Sequence, residues 1–493
     1  MKTFVHSPYI RLMKKILRLL LLAIVVLVAI VLFNTFTFKS KQVESTRTAV
    51  EVPTDISLLS QAISFQTISH KKGMIDDSAF VGFHNFLQSS FPLVHSMLAK
   101  ETVNDYSIIY TWQGTDKSLE PLVLAGHMDV VPVEYSSQNE WEAKPFSGDV
   151  IDGHIYGRGT IDDKGSMIAI FQAVEQLLKK GFSPTRTILL CFGHDEEIGG
   201  ETGGKVMADI LAKRGIKAWM VLDEGGTLAT GIVPGIDQTV ALIGTSEKGY
   251  VSLEISADMP GGHSSMPEKS NALEAVNAAV YTLKSNPLPN RLTNPMEGFI
   301  AHVGPHLPFT QKMAFANTWL FKPLIFSVYE KSASGAALIH TTQTATVFNS
   351  GIKDNVVPNR AKAIVNYRLL PGDEPEGILK RAKEIIEDTN IRVVIYDSFG
   401  VPASPVSSYE NEQFEYLSSV IRAVNTDVLV TPYLVLGATD GRYYYSISEN
   451  VYRFSPIPLQ SDDLKRIHGI NERISLQGFQ KSVSFYATFI SNM

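Results

Sequence analysis

Apolar positions are densest near the amino end, where residues 19–33 form an unbroken apolar run. Ile16 and Leu17 extend it on one side, Phe36 and Phe38 on the other, and only Arg18, Asn34 and two threonines interrupt. About 20 apolar residues suffice to cross a bilayer, so 16–38 predicts a transmembrane helix. Arg11, Lys14, Lys15 and Arg18 precede the run, which predicts a cytoplasmic N-terminal tail, residues 1–15. A cleaved signal peptide is the competing reading. No A-x-A-like site follows the run, so an uncleaved signal anchor is preferred, with the rest of the chain non-cytoplasmic (periplasmic, lumenal or extracellular). Polar residues 39–54 then read as a linker.

Beyond the linker the pattern alternates. Helical spacing marks 56–65 and 79–98, and strands follow at 106–112 and 121–125. The Gly-rich stretch 141–159 predicts loop with a small hairpin. A helix at 164–180, a buried strand at 187–193, a helix at 203–214 and a strand at 218–222 complete a βαβ-like series. Each strand end is followed by acidic residues or histidine, which describes a doubly wound α/β sheet with its site at the strand C-terminal ends. From about residue 248 the pattern changes to half-exposed strands (250–257, 342–349, 361–370), a helix at 271–284 and a less regular stretch, 286–334. That predicts an inserted α+β domain at 248–370, interrupting a first domain made of 55–247 and 371–493. Within the last part, 376–389, 411–424 and 476–491 read as helices and 392–396 as a strand.

Composition changes this picture little. The 493 residues are 44% hydrophobic and 19% charged, an ordinary globular balance with room for more than one domain. The net charge of −6 is mixed along the chain and offers no basic face, which excludes nucleic-acid binding. A single cysteine, Cys191, excludes an internal disulfide and reads as a buried strand residue. No internal repeat is evident.

Candidate chemistry starts in LVLAGHMDVV, residues 122–131. Gly126 frees the backbone at the end of an apolar strand, and His127 and Asp129, two apart, point to one side of extended chain. Asp162, Glu196, Glu197, Asp223 and the late His468 join them as candidates. Taken singly, each acid has an ordinary reading, Asp162 as a helix cap and the others as exposed loop or turn residues. Adjacent carboxylates at strand ends are costly unless a cation neutralises them. Two histidines with five acids is the set expected of two borderline cations sharing a carboxylate bridge.

The ordered motifs HMDVVP, GRGTIDDKG, HDEEIGG, LDEGG, GGHSS, NVVP and HGINE resemble those of the M20 family of zinc metallopeptidases. Among its branches, the membrane-anchored carboxypeptidase S and N-acyl-amino-acid amidohydrolase group is the most similar. The resemblance implies two Zn2+ per subunit, with Co2+ or Mn2+ as substitutes, held by His127 and His468, with Asp162 bridging and Glu197 and Asp223 completing the two ligand sets. It excludes Asp163, makes Asp129 the acid that orients His127, and makes Glu196 the general base. In the insert, a lid, it assigns His263 to polarising the scissile carbonyl, a residue that in dimeric relatives comes from the partner subunit, so a homodimer is compatible. Asn355 and Arg368 match positions that hold the substrate, and Gly437 to Gly441, with Thr439, match a loop near its carboxylate; Arg442 is a weaker candidate. His263 as an exposed loop histidine and Arg368 as half of a strand-face salt bridge are the ordinary readings. The final motif more often reads HGPNE or HGVNE, and Ile470 leaves His468 and Glu472 in place.

The function implied is hydrolysis of an amide bond next to a free carboxylate, as a carboxypeptidase on short peptides. The alternative substrate is an N-acyl amino acid, hydrolysed or, in reverse, condensed. A catalytically inactive binding relative is disfavoured because every ligand and the base are present.

Overall fold

The computed structural model describes residues 8–70 and 75–493. Ten strands build the main sheet: β1 (Ala99–Val103), β2 (Ser107–Trp112), β3 (Leu122–His127), β4 (Ile188–Gly193), β5 (Met220–Asp223), β6 (Thr227–Thr230), β7 (Val240–Glu247), β8 (Leu429–Val435), β9 (Val451–Arg453) and β10 (Pro458–Gln460). Their order is β1-β2-β4-β3-β5-β9-β7-β6-β10, with β8 beside β7. The centre of the sheet, β4-β3-β5-β9, is parallel. Parallel strands are covered on both faces, which is why β3 and β4 are buried along their whole length. Alternation then sorts their side chains. Leu122 and Leu124 join a core with the helices Lys164–Lys179, Glu412–Val424 and Leu476–Ser491, while Val123, Ala125 and Cys191 face the helix Gly204–Lys213. Cys191 is a buried strand residue, as expected.

The insert is a four-stranded antiparallel sheet in the order Thr342–Ser350, Arg360–Leu369, Gly249–Asp258, Ile391–Val401. Helices Ala272–Ser285 and Pro375–Ile386 close a core over it with Val251, Leu253, Ile255, Val365 and Val393. The expected boundary at 370 therefore falls inside this unit, since Ile391 pairs with Ala257 and the lid continues to Val401. Hydrophobic spacing alone does not say which sheet a strand joins.

Three local expectations also change. Residues 79–98 are two helices, Asp77–Ser90 and Pro92–Met97, broken at Phe91 because a residue before proline avoids the helical region. The stretch 286–334, read as irregular, holds three helices, Asn294–Val303, Phe309–Ala316 and Thr318–Tyr329, and the start of a fourth, Ala333–Ile339. The first packs Met296, Phe299 and Val303 against Val240, Leu242 and Leu429 of the main sheet. Prolines at 295, 305, 308 and 323 punctuate that stretch and mask its helical spacing.

Among the described residues one helix, Pro8–Thr37 at the amino end, is long and apolar enough to cross a membrane. The first seven residues of the expected tail lie outside the described residues. The segment 39–54 carries no regular structure but lies against the body. The Gln42 side chain accepts from Val430 N–H (2.8 Å) and donates to Val430 C=O (2.9 Å), and Arg47 Nε donates to Ser419 Oγ (2.7 Å).

Candidate metal centre

The site forms where β3, β4 and β5 end and two distant loops meet them. A Cβ at Gly126 would lie 2.5 Å from Asp163 Oδ2, so only glycine lets β3 approach the Asp162–Asp163 turn this closely. His127 follows, fully buried. Its Nδ1 lies 3.0 Å from the Asp129 carbonyl oxygen and 3.4 Å from Asp129 Oδ1, and its Nε2 lies 3.0 Å from Asp162 Oδ1. His468, held at φ 59°, arrives from near the C-terminus and sets Nε2 3.1 Å from Asp162 Oδ2 and 3.2 Å from Glu197 Oε2. Each oxygen of Asp162 thus faces a different histidine. Two groups of ligand atoms result, His127–Asp162–Glu224 and Asp162–Glu197–His468, each within 4.8 Å.

This donor set fits two cations bridged by one carboxylate. Donation from His127 Nδ1–H to Asp129 selects the tautomer whose Nε2 lone pair faces Asp162. The electrostatics agree. Burial pushes Glu196 well above the usual carboxylate range, and Asp440, Glu224 and Glu197 push it further. Burial likewise raises Glu197, Asp223 and Glu224, and carries Asp163 up to about 8. Hydrogen bonds to Asp162 and Glu197 hold His468 up to about 10. Acids gathered this closely in a buried site keep their charge only where a cation compensates it, which a metal beside His127 or His468 would do.

Asp129 does more than orient His127. Its two oxygens accept the backbone N–H groups of Glu196 (3.2 Å) and Glu197 (3.1 Å), so it also positions the loop after β4. Glu196 lies outside both ligand groups, yet close enough to His127 for each to raise or lower the other's proton affinity.

The structure adds Glu224 to the expected set. Asp223 Oδ2 accepts the Gly441 N–H at 2.6 Å and Asp223 falls in neither ligand group, while Glu224, the next residue, joins His127 and Asp162. Successive residues at a strand end point to opposite sides, so the two acids of LDEGG meet different neighbours.

Several buried residues were missed from the sequence. Glu472 accepts the N–H groups of Gly159 (3.0 Å) and Ile161 (2.9 Å) and the Arg158 guanidinium (2.5 Å), tying the HGINE loop to the loop that carries Asp162. Glu247 accepts from Arg453 Nε (2.7 Å) and Arg442 Nε (2.6 Å), an ion triad behind the metal cluster. Thr439 donates both its N–H (3.1 Å) and its hydroxyl (3.0 Å) to the same Glu247, so its side chain is engaged within the protein. Glu472 lay within a quoted motif; Glu247 and Arg453 carry no local signal.

The lid residues stand apart from the cluster. His263 is exposed on the two-residue strand Gly262–His263, and its Nδ1 is engaged by Ser265. Asn355 is exposed next to it, its carbonyl accepting the Ser264 N–H. Neither bonds to a residue of the cluster. Arg368 is half-buried, its guanidinium 5.0 Å over the Tyr250 ring, and among the described residues it forms no ion pair with any acid. The strand-face salt bridge is thereby excluded. Gly437 is exposed, with open space where a Cβ would stand.

The model of peptidase family M20/M25/M40 matches residues 123–492. This chain belongs to the M20 family. A solved member of the family, the YXEP protein of Bacillus subtilis, is described as a dinuclear metal-binding peptidase and shares the fold with TM-score 0.54 at 10% identity, covering 88% of this chain and 97% of that one. A probable carboxypeptidase S-like 2 of Dictyostelium discoideum is 37% identical to this M20 chain, covering 98% of it and 94% of the relative. The N-fatty-acyl-amino acid synthase/hydrolase PM20D1.1 of Danio rerio is 36% identical, covering 100% and 98%. The M20 family metallo-carboxypeptidase Sso-CP2 of Sulfolobus solfataricus shares the fold with TM-score 0.65, 20% identity and coverage of 89% and 99%. The expected architecture, an M20 catalytic domain with an inserted lid, agrees with these findings.

Proposed function

We propose that this M20 enzyme hydrolyses an amide bond next to a free carboxylate, with two zinc ions held by His127, Asp162, Glu197, Glu224 and His468. The observation that carries the reading is Asp162 facing one histidine with each oxygen. When bound, the two cations supply Lewis acidity to the attacking water and the scissile carbonyl. Glu196 takes the proton of that water and delivers it to the leaving amine, and its raised proton affinity suits the first of these transfers. Asp129 holds the Glu196 backbone and the His127 ring in register for this step. Arg368, stacked on Tyr250 and without an acid of its own, grips the substrate carboxylate, with Asn355 and Gly437 beside the substrate. His263 polarises the carbonyl once the lid closes or a partner subunit supplies it.

Carboxypeptidase action on short peptides is the first reading of the substrate. The N-acyl amino acid reading is supported by the likeness, over the whole chain, to an N-fatty-acyl-amino acid synthase/hydrolase. The helix Pro8–Thr37 supports a single-pass anchor with its N-terminus cytoplasmic, since Arg11, Lys14, Lys15 and Arg18 lie at that end. Full-length enzyme loaded with zinc in detergent, assayed on a blocked dipeptide and on a long-chain N-acyl amino acid, tests the reading. Cleavage of either supports the chemistry and the preference fixes the substrate. Turnover of neither, or full turnover after exhaustive chelation, overturns it.

A further inference from the structure

The helix Thr318–Tyr329, TWLFKPLIFSVY, is predominantly apolar, with Lys322 its one charged residue. Ile325 is buried and Phe321, Phe326 and Tyr329 are half-buried against the body. The opposite face is also mainly apolar and is open: Trp319 is 59% exposed, Leu324 53% and Val328 53%, with Leu320, Pro323 and the single polar Ser327 between them. These positions recur at intervals of three and four and make one continuous stripe. Surface helices of soluble domains normally turn charge outward, and contiguous apolar patches mark a binding surface. No Asp or Glu occurs between Glu297 and Glu330, while Lys312 and Lys322 do. A surface without acidic charge and with two lysines suits contact with an anionic, apolar-cored surface.

The position of this helix says which surface covers it. Asn317, immediately before it, donates to Val31 C=O (3.1 Å) and Thr35 Oγ1 (3.3 Å) and accepts from Asn34 Nδ2 (2.9 Å) of the helix Pro8–Thr37. Phe309, also exposed, lies with its ring centroid 6.0 Å from that of Phe36. At 1.5 Å per residue, Val31 and Thr35 sit roughly 5–10 Å inside the outer end of a span reaching residue 38. That is about the depth at which interfacial helices rest. Gln42 and Arg47 then clamp the following segment to the body, which prevents the domain from swinging away on a tether.

We propose that the Trp319–Leu320–Leu324–Val328 face, with Phe309, seats in the outer leaflet of the membrane that the N-terminal helix crosses, making a second, monotopic membrane contact. The proposal rests on reading that helix as a membrane span. It fixes the catalytic domain against the bilayer at one tilt. Residue 339, where the next helix ends, lies beside His340, whose carbonyl, with that of Ala337, receives the Lys248 ammonium (2.9 and 2.7 Å) at the base of the lid.

The test uses full-length protein in phosphatidylcholine vesicles brominated either near the headgroup or near the chain ends. Trp112 and Trp141 are buried and Trp219 half-buried, so Trp319 is the exposed reporter. Shallow bromines should quench a blue-shifted emission that Trp319→Phe abolishes, and deep bromines should quench it less. A nitroxide on Val328→Cys, readily placed because Cys191 is buried, should meet oxygen more than a polar nickel chelate, with the reverse on Ile352→Cys in the lid. Retention after alkaline carbonate extraction reports the anchor separately. Anchored protein whose Trp319 is unquenched and whose Val328 label meets the chelate freely overturns the proposal and leaves the anchor reading standing. A blue-shifted but unquenched Trp319, as when a second copy covers the face, also overturns it. Release by carbonate overturns both.

Discussion

Glu196 and Glu197 are adjacent, yet their surroundings give them different work. Glu197 Oε2 lies 3.2 Å from His468 Nε2, whereas Glu196 belongs to neither ligand group. Glu196→Gln should therefore keep its metal, measured by elemental analysis, while turnover falls by about 10²–10⁴-fold. Loss of metal together with activity would make Glu196 a ligand instead. The Asp223–Glu224 pair separates in the same way. Glu224→Gln should lower bound zinc toward one equivalent. Asp223→Asn should keep zinc and instead lower the melting temperature, because its bonds run to Gly441 and toward Arg453. Equal zinc loss in both would contradict the geometry. Lys248 carries a pH dependence of stability. Burial lowers it from 10.5 to about 7, so between those values the unfolded chain binds a proton that the folded chain does not. Stability from this residue therefore rises with pH across that window. Urea midpoints at the two ends of it should differ more in the parent than in Lys248→Met.

At the scale of elements, the site depends on contacts between segments far apart in sequence. Glu247 ends β7, Arg453 ends β9, and both are fully buried. A buried ion pair with one partner removed leaves an uncompensated charge, at a cost of about 3–5 kcal/mol. Arg453→Met should lower the denaturant midpoint accordingly, and a change within error would mean that Arg442 alone satisfies Glu247. Element types were legible where a pattern is strong. The all-apolar β3 and β4 and the helix Lys164–Lys179 stand close to their expected bounds because long periodic runs leave little choice. The helices of 286–339 were not legible, because their prolines look like breakers although Pro295 occupies a first turn, where no hydrogen bond is lost.

In the whole molecule, cations and fold support one another. The cluster gathers Asp162, Asp163, Glu196, Glu197, Asp223, Glu224 and Asp440 in buried or half-buried positions, and their mutual repulsion is what bound metal relieves. Removing metal should lower the melting temperature and returning zinc should restore it. At a hundredfold excess over its Kd, each site contributes about 2.7 kcal/mol. A melting temperature indifferent to chelation would deny the coupling. The sequence by itself determined the apolar N-terminal helix, the alternating core of the sheet and the short-range chemistry at strand ends, because periodicity and nearest neighbours are local properties. The resemblance of its ordered motifs to the M20 family carried the histidine and acid set further. Tertiary structure alone decided that Glu224 joins His127 and Asp162, that the lid sheet runs to Val401, and that Glu472 braces the loop of Asp162. It also placed an open, mainly apolar helix beside the apolar N-terminal helix. Each of these depends on where a side chain points after distant segments pack, and that direction is set by strand pairing and burial rather than by spacing along the chain.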